Sequence, residues 1–176
     1  MFLANVYVET EQFLKAAQVF ELMHSMGEGD MATRLQLANI YSLQGMYELS
    51  VDTFIAAKRD DLVSLLPQVL TTVRYLLDMN EVGQAKRLFG NLGLLDPLWS
   101  SENRTKFLLL ESSFAALDGN SGVEESKLME ALENDPTEGE ALVRIGSIHA
   151  GRGEKAKAMF FFERAYTSEK HEYDAL

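Results

Sequence analysis

Apolar residues recur along this chain with the spacing of one helix face, and short turn segments separate the apolar stretches. Leu37, Ala38 and Tyr41 follow at i, i+1 and i+4, which places them on one side of a helix. Gly45 interrupts the pattern, and a second apolar stripe that includes Phe54 begins after it. No segment alternates apolar and polar residues between hairpin turns, as a half-buried strand would. The pattern therefore predicts an all-α protein built from pairs of short helices.

The helix pairs repeat with a period of 34 residues. Ala4 recurs as Ala38, and Leu128 recurs as Phe162, each 34 residues later. A shared offset in separate parts of a chain is the signature of a repeat protein. We predict a single domain over residues 1–176, which divides into these segments: a partial repeat at 1–30, repeats at about 31–64, 65–98, 104–138 and 139–172, and the start of a further repeat at 173–176.

The third and fourth units depart from the strict period. Tyr75 lies 34 residues after Tyr41, so we align these tyrosines and place one extra residue after Tyr75. An insertion at 99–103 precedes the fourth unit. The Asp-Pro pairs at 96–97 and 135–136 each follow a predicted second helix, where proline favours the end of one helix and the start of the next.

These units resemble the tetratricopeptide repeat (TPR), whose 34-residue signature is W-x2-L-G-x2-Y, then A-x3-F, then Pro. The clearest match is Leu-x2-Ile-Gly-x2-His at 142–149, followed by Ala158-x3-Phe162. The resemblance implies an alpha-alpha superhelix, or solenoid, of about four to five stacked helical hairpins. It also implies a non-catalytic scaffold for protein–protein interaction, which binds a partner segment in its concave groove.

In TPR-like solenoids the first helices of the hairpins line the concave surface used for binding. We expect this groove to be lined by the residues of those helices that face away from their repeat neighbours: Phe2, Asn5, Leu35, Gln36, Asn39, Val69, Leu70, Val73, Lys106, Leu109, Ser113, Val143, Arg144 and Ser147. The apolar middle of this set predicts a protein or peptide partner with aliphatic anchors. The alternative is that its four aliphatic residues simply belong to the core: Val69, Leu70, Val73 and Leu109.

Some TPR domains hold the C-terminal carboxylate of a peptide with lysine, asparagine and arginine side chains. Asn39 and Lys106 occupy two positions of that clamp, but three leucines replace its other members: Leu35, Leu70 and Leu110. A carboxylate that faces leucine loses its water without gaining hydrogen bonds. We therefore expect no binding of acidic chaperone tails.

Composition narrows the possible partners and chemistry. The 176 residues include 16 Lys and Arg against 27 Asp and Glu, a formal net charge of −11, which disfavours nucleic acid because phosphate binding depends on basic side chains. The chain has no cysteine, and its histidines at 24, 149 and 171 lack the spacing of zinc ligands. No glycine-rich phosphate loop occurs. We predict no catalytic residue, no cofactor and no metal.

No apolar run approaches the ~20 residues that span a bilayer, so we predict no direct membrane insertion. The first residues, MFLANVYVETEQ, lack a basic leader, which predicts that this chain contains no signal peptide.

Three features have alternative interpretations. A group of carboxylates on a predicted second helix forms either a solvated face or a docking patch for a basic partner: Glu124, Glu125, Glu130, Glu133 and Asp135. Trp99 is either a contact anchor or packs under its own loop. His149 occupies the Tyr position of the signature, where packing is expected over ligation.

Both ends of the sequence match only part of a repeat. We therefore expect either that the chain is a fragment of a longer array or that its ends pack against copies of themselves. The second possibility gives the alternative function, a structural module that self-associates through incomplete terminal repeats.

Residues 139–176 are also similar to repeats of bacterial periplasmic TPR proteins encoded beside TonB, ExbB and ExbD. This resemblance implies an accessory role in TonB-type envelope transport and a periplasmic location. Without it, we expect a cytoplasmic protein.

Overall fold

A computed structural model describes the backbone of residues 2–92 and 99–174, and their side chains except for Arg59 and residues 169–174. The described residues form eleven α-helices and no β-strand. They are α1 (Phe2–Glu9), α2 (Phe13–Ser25), α3 (Met31–Leu43), α4 (Tyr47–Ile55), α5 (Arg59–Ser64), α6 (Leu66–Asp78), α7 (Val82–Gly90), α8 (Ser101–Leu117), α9 (Ser121–Asn134), α10 (Gly139–Gly151) and α11 (Lys155–Asp174). The Asp-Pro pair at 96–97 lies outside the described residues.

The chain divides into two compact units, residues 1–95 and 96–176. In unit 1, α1 pairs with α2, α3 with α4 and α6 with α7, while α2 also packs against α3 and α4 against α7. In unit 2, α8 pairs with α9 and α10 with α11, while α9 also packs against α10. The short helix α5, which precedes α6, is not anticipated by the apolar pattern.

The core of unit 1 forms where small residues of paired helices meet large ones. Ala4 of α1 and Ala16 of α2 are completely buried, and they share a cluster with Phe20 and Leu37. Alanine at these positions allows the helix backbones to approach closely, and the larger side chains fill the space between hairpins.

Unit 2 uses the same arrangement with a glycine. Leu128 of α9 and Ile145 of α10 lie in its buried cluster. A Cβ atom added to Gly146 would lie 2.6 Å from Cε1 of Phe162, closer than real Cβ contacts come. Gly146 therefore leaves the space that the Phe162 ring occupies between α10 and α11.

The tight turn after a first helix contains a residue with positive φ. Gly45, Gly119 and Gly153 have φ of 71°, 71° and 76°, and they follow α3, α8 and α10. Asn80 takes the same role after α6 with φ of 63°. Glycine and asparagine are the residues that adopt this left-handed conformation most readily.

Ion pairs connect α8 to α9. Glu130 accepts hydrogen bonds from Arg104 at 2.7 Å and from Lys127 at 3.3 Å, and Lys127 also lies 2.9 Å from Glu111. Burial opposes ionisation of Glu130, but Arg104 and Lys127 together outweigh it and hold the pKa of Glu130 below its usual value. The hydrogen bond to Glu111 raises the pKa of Lys127.

We expect Gly146→Ala to destabilise the protein. Alanine gains up to about 1 kcal/mol of helix propensity, but overpacking against Phe162 costs about 1–3 kcal/mol. Gly151→Ala is the matched control, because open space surrounds this position of the same helix; it should be neutral or stabilising. Urea unfolding followed by the fluorescence of Trp99, the single tryptophan, measures both. Equal stability of the two variants would refute a close contact at Gly146.

Glu130 should also make unit 2 sensitive to acid. Because its pKa is lower in the folded chain than the usual 4.5, its stabilising contribution is fully present above that pH and is lost as the pH falls through the folded value. We expect Glu130→Gln to weaken this part of the pH dependence. Unfolding free energies from urea titrations between about pH 7 and 3 test this. Identical profiles for the wild type and the variant would contradict it.

Candidate partner-binding site

In unit 1, the predicted groove residues of the first two hairpins lie at the surface. Phe2, Asn5, Gln36 and Asn39 are exposed on α1 and α3, and Leu35 is half-buried. The side-chain amides of Asn5, Gln36 and Asn39 thus lie where they can donate and accept hydrogen bonds.

The third hairpin does not continue this surface through the residues that the sequence suggested. Val69 and Val73 of α6 are completely buried, and Leu70 is 2% exposed. These three side chains belong to the core of unit 1, which is the alternative interpretation of the apolar groove. A partner could contact none of them without opening the unit.

The physical reason is a one-residue difference in register. Helices α3 and α6 have the same length, and α6 begins 35 residues after α3 begins. The turn residues that follow them, Gly45 and Asn80, are also 35 residues apart. The extra residue therefore lies before α6 and not after Tyr75. One residue corresponds to a rotation of about 100° around a helix axis, which turns Val69 and Val73 into the core. Leu70 lies at the repeat position of Leu35 in this register, and it is buried where Leu35 is half-buried. At an offset of 35, Gln36 and Asn39 correspond to Thr71, which is exposed, and Arg74, which is half-buried.

In unit 2, Arg144 brings several predicted groove residues together. Its guanidinium donates to Ser113 Oγ at 3.0 Å and to the carbonyl of Leu109 at 3.4 Å, so it links α10 to α8. It also donates to Glu140 at 3.1 Å and to Glu124 of α9 at 2.9 Å. Arg144 thus positions three helices, and most of its donors are occupied within unit 2.

The remaining predicted residues of unit 2 divide between core and surface. Leu109 is buried, which again agrees with the alternative interpretation. Lys106, Val143 and Ser147 are exposed, and the ammonium of Lys106 lies 2.6 Å from Glu102 one turn earlier. Val143 and Ser147 therefore form the accessible part of this face of α10.

One position of the repeat carries a hydrogen-bonding side chain in every hairpin. We call the residues at this position the polar row: Asn5, Asn39 and Arg74 in unit 1, and Ser113 and Ser147 in unit 2. Asn5, Asn39 and Ser147 are exposed, while Arg74 and Ser113 are half-buried. The sequence identifies four of these residues, and only Arg74 requires the corrected register.

Three carboxylates of α9 pair with basic residues of unit 2, while Glu133 is exposed. Glu124 pairs with Arg144, and Glu125 pairs with Arg152 at 2.5 Å and lies 3.6 Å from His149. These pairs connect α9 to α10 within unit 2. The paired carboxylates link helices within unit 2, so they do not form a free acidic patch.

Trp99 and His149 both pack within unit 2. The Trp99 ring lies 4.2 Å from that of Phe107, and Arg104 lies over it at 5.9 Å. His149 is buried and stacks on Phe161 at 5.6 Å, which agrees with packing at the Tyr position of the signature.

Among the described residues, no group of three or more His, Asp or Glu side chains is arranged to hold a metal ion. None of the helices in the part of the chain that the structure describes is long and apolar enough to cross a membrane.

Comparisons with known proteins agree with this architecture. Residues 139–171 match the family model of the tetratricopeptide repeat. The crystal structure of MamA is similar with a TM-score of 0.66 and 15% identity, over 99% of this chain and 98% of that chain. MamA from Desulfovibrio magneticus RS-1 gives 0.61 and 14%, over 96% and 92%. A comparison with curated protein sequences finds no match.

A third similar structure is that of YrrB, described as a TPR protein with an unusual peptide-binding site. Its TM-score is 0.58 and its identity 17%, over 95% of this chain and 83% of that chain. At such identities the similarity establishes the fold alone. Together with the matched repeat, it confirms the predicted fold class, an all-α TPR fold.

The corrected register predicts that a charge destabilises the protein at one position of α6 and has almost no effect on stability two residues away. Val73→Glu should destabilise the protein by more than about 3 kcal/mol, because it buries an unpaired carboxylate. Thr71→Glu, at an exposed position, should change stability by no more than about 0.5 kcal/mol. Thermal unfolding followed by far-UV circular dichroism measures both. If Val73→Glu were tolerated as well as Thr71→Glu, the 35-residue offset between α3 and α6 would be wrong.

Proposed function

We propose that this chain is a non-catalytic scaffold that binds a segment of a partner protein along the first helices of its hairpins. The observation that carries this proposal is the polar row, a hydrogen-bonding side chain at the same position of each hairpin. In unit 1, Asn5 and Asn39 present identical exposed amides one repeat apart. The peptide-binding site for which YrrB is described supports the proposal by analogy of fold.

The chemistry of the polar row suits a main chain more than a single charged group. A side-chain amide both donates and accepts, so it can bond the carbonyl and the N–H of an extended peptide. Neighbouring packed helices lie about 8–10 Å apart, so successive amides would bond peptide units about three residues apart along an extended segment. Leu35 beside Asn39, and Val143 beside Ser147, offer apolar contacts for aliphatic anchors of the same segment.

Peptide display against the full chain tests this proposal. We expect selected peptides to bind Asn39→Ala about tenfold more weakly, since one hydrogen-bonding amide is lost. Val143→Glu should weaken the binding of peptides that contact unit 2. The matched controls are Gln18→Ala, an exposed amide on a second helix, and Met129→Glu, an exposed apolar residue of α9. Both controls should bind like the wild type.

Two results would count against the proposal. One is a library from which the chain selects no peptide. The other is a set of peptides that bind the polar-row variants and the wild type equally well.

An acidic C-terminal tail peptide serves as a negative control in the same experiment. Leu35 stands at a lysine position of the carboxylate clamp, Leu110 is buried at another clamp position, and Lys106 lies beside Glu102. We expect no retention of such a peptide, whereas a clamp of this kind would bind it.

An accessory role in TonB-type envelope transport is a narrower proposal. It is supported by the resemblance of residues 139–176, the segment that also contains the matched TPR unit. Co-purification with ExbB or ExbD that depends on Asn39 would support it, and co-purification that ignores the polar row would not.

A further inference from the structure

An apolar stripe on α11 is exposed where the equivalent residues of the preceding hairpin are buried. Phe162 and Tyr166 are 38% and 70% exposed. The residues one repeat earlier, Leu128 and Leu132 of α9, are 0% and 7% exposed. Met159 also lies on this side of α11 and is exposed. We call Met159, Phe162 and Tyr166 the α11 stripe.

The first helix of the next hairpin covers the earlier pair. Leu128 and Leu132 lie in one buried cluster with Leu142 and Ile145 of α10. The interface between α9 and α10 thus has two halves, a stripe on a second helix and an aliphatic face on the following first helix. Among the described residues, only the first half is present at α11.

The second half occurs on α1. Leu3 occupies the repeat position of Leu37 and Ile145, which are 5% and 0% exposed, yet Leu3 is 52% exposed. Phe2 beside it is 85% exposed. We call Phe2 and Leu3 the α1 face.

Uncharged residues of α1 and α11 stand at the repeat positions where the α9–α10 interface has ion pairs. Arg144 pairs with Glu124 inside the chain. At the equivalent positions of the two exposed surfaces stand Phe2 on α1 and Ala158 on α11.

The same exchange occurs at the second charged contact. Glu125 faces His149 and Arg152 inside the chain. The equivalent residues are Met159 on α11 and Tyr7 and Thr10 on the α1 side. Both surfaces lack the charges that the internal interface pairs, so neither would bury an unpaired ion against the other.

We infer that the α1 face of one molecule packs on the α11 stripe of a second molecule, as α10 packs on α9 within the chain. The occupant is a second copy, because this chain supplies both matching halves. Such a contact joins two different surfaces, so it is heterologous and leads to open chains or closed rings of molecules. It is separate from the polar row and does not depend on the proposed peptide binding.

Sedimentation equilibrium over a concentration series of the full chain tests the inference. We expect concentration-dependent association of the wild type. Leu3→Glu and Tyr166→Glu should each weaken it about tenfold or more, because a buried aliphatic or aromatic contact becomes a buried charge. The controls are Leu43→Glu and Leu117→Glu, which alter equally exposed leucines elsewhere in each unit. Far-UV circular dichroism of all four variants verifies that they fold.

Mixing the two interface variants distinguishes this contact from a symmetric dimer. Leu3→Glu retains an intact α11 stripe, and Tyr166→Glu retains an intact α1 face. Neither variant should associate alone, but their mixture should form a one-to-one dimer that grows no further.

Three results would overturn the inference. The first is a wild-type chain that stays monomeric up to about 500 µM, where even weak interfaces are populated. The second is a Leu3→Glu variant that still associates while Tyr166→Glu does not, as in a symmetric pairing of two α11 helices. The third is a mixture that shows no heterodimer.

Discussion

Paired helices of this protein pack closely at small residues, and the positions of the other side chains follow from this packing. Ala4, Ala16, Ala38 and Gly146 are all buried, and a Cβ at Gly146 would collide with Phe162. Because side chains at these contacts are so small, the orientation of each hairpin is set by its backbone and by the larger residue that fills the next gap. Packing at native density leaves little freedom in such an arrangement. The exposed faces of the first helices follow from this geometry.

Charge has a different role in each part of the protein. The net charge of −11 disfavours polyanionic partners, but individual carboxylates of α9 are used inside unit 2. Arg144, Arg152 and Arg104 each connect two helices through such carboxylates. These partly exposed pairs fix register between neighbouring helices more than they add stability. Uncharged residues of α1, α11 and the turn after α1 stand at the repeat positions of the Arg144–Glu124 and Arg152–Glu125 pairs, and the inferred contact with a second molecule rests on this exchange.

The proposed peptide binding and the inferred self-association use different surfaces, so the two are independent. In the proposed function, the polar row bonds a peptide main chain, with Leu35 and Val143 as apolar neighbours. The α1 face and the α11 stripe offer only aliphatic and aromatic contacts, in the pattern of the internal hairpin interface. A scaffold that combines both could present the peptide-binding surface of several molecules side by side. Linked sites of this kind raise the effective concentration of a multivalent partner.

The fold class, the repeat period and most of the polar row can be predicted from the amino acids alone. Helical periodicity and a recurring 34-residue offset are local signals that survive in each unit, for example at Ala38 and Tyr41. These signals do not determine which face of α6 is buried, since a single residue of offset rotates a helix by about 100°. Val69, Val73 and Leu109 are equally apolar in either orientation, so their type cannot separate groove from core. The packing of the helices is needed to place these residues, because burial depends on which neighbouring helix covers a residue and not on the residue alone.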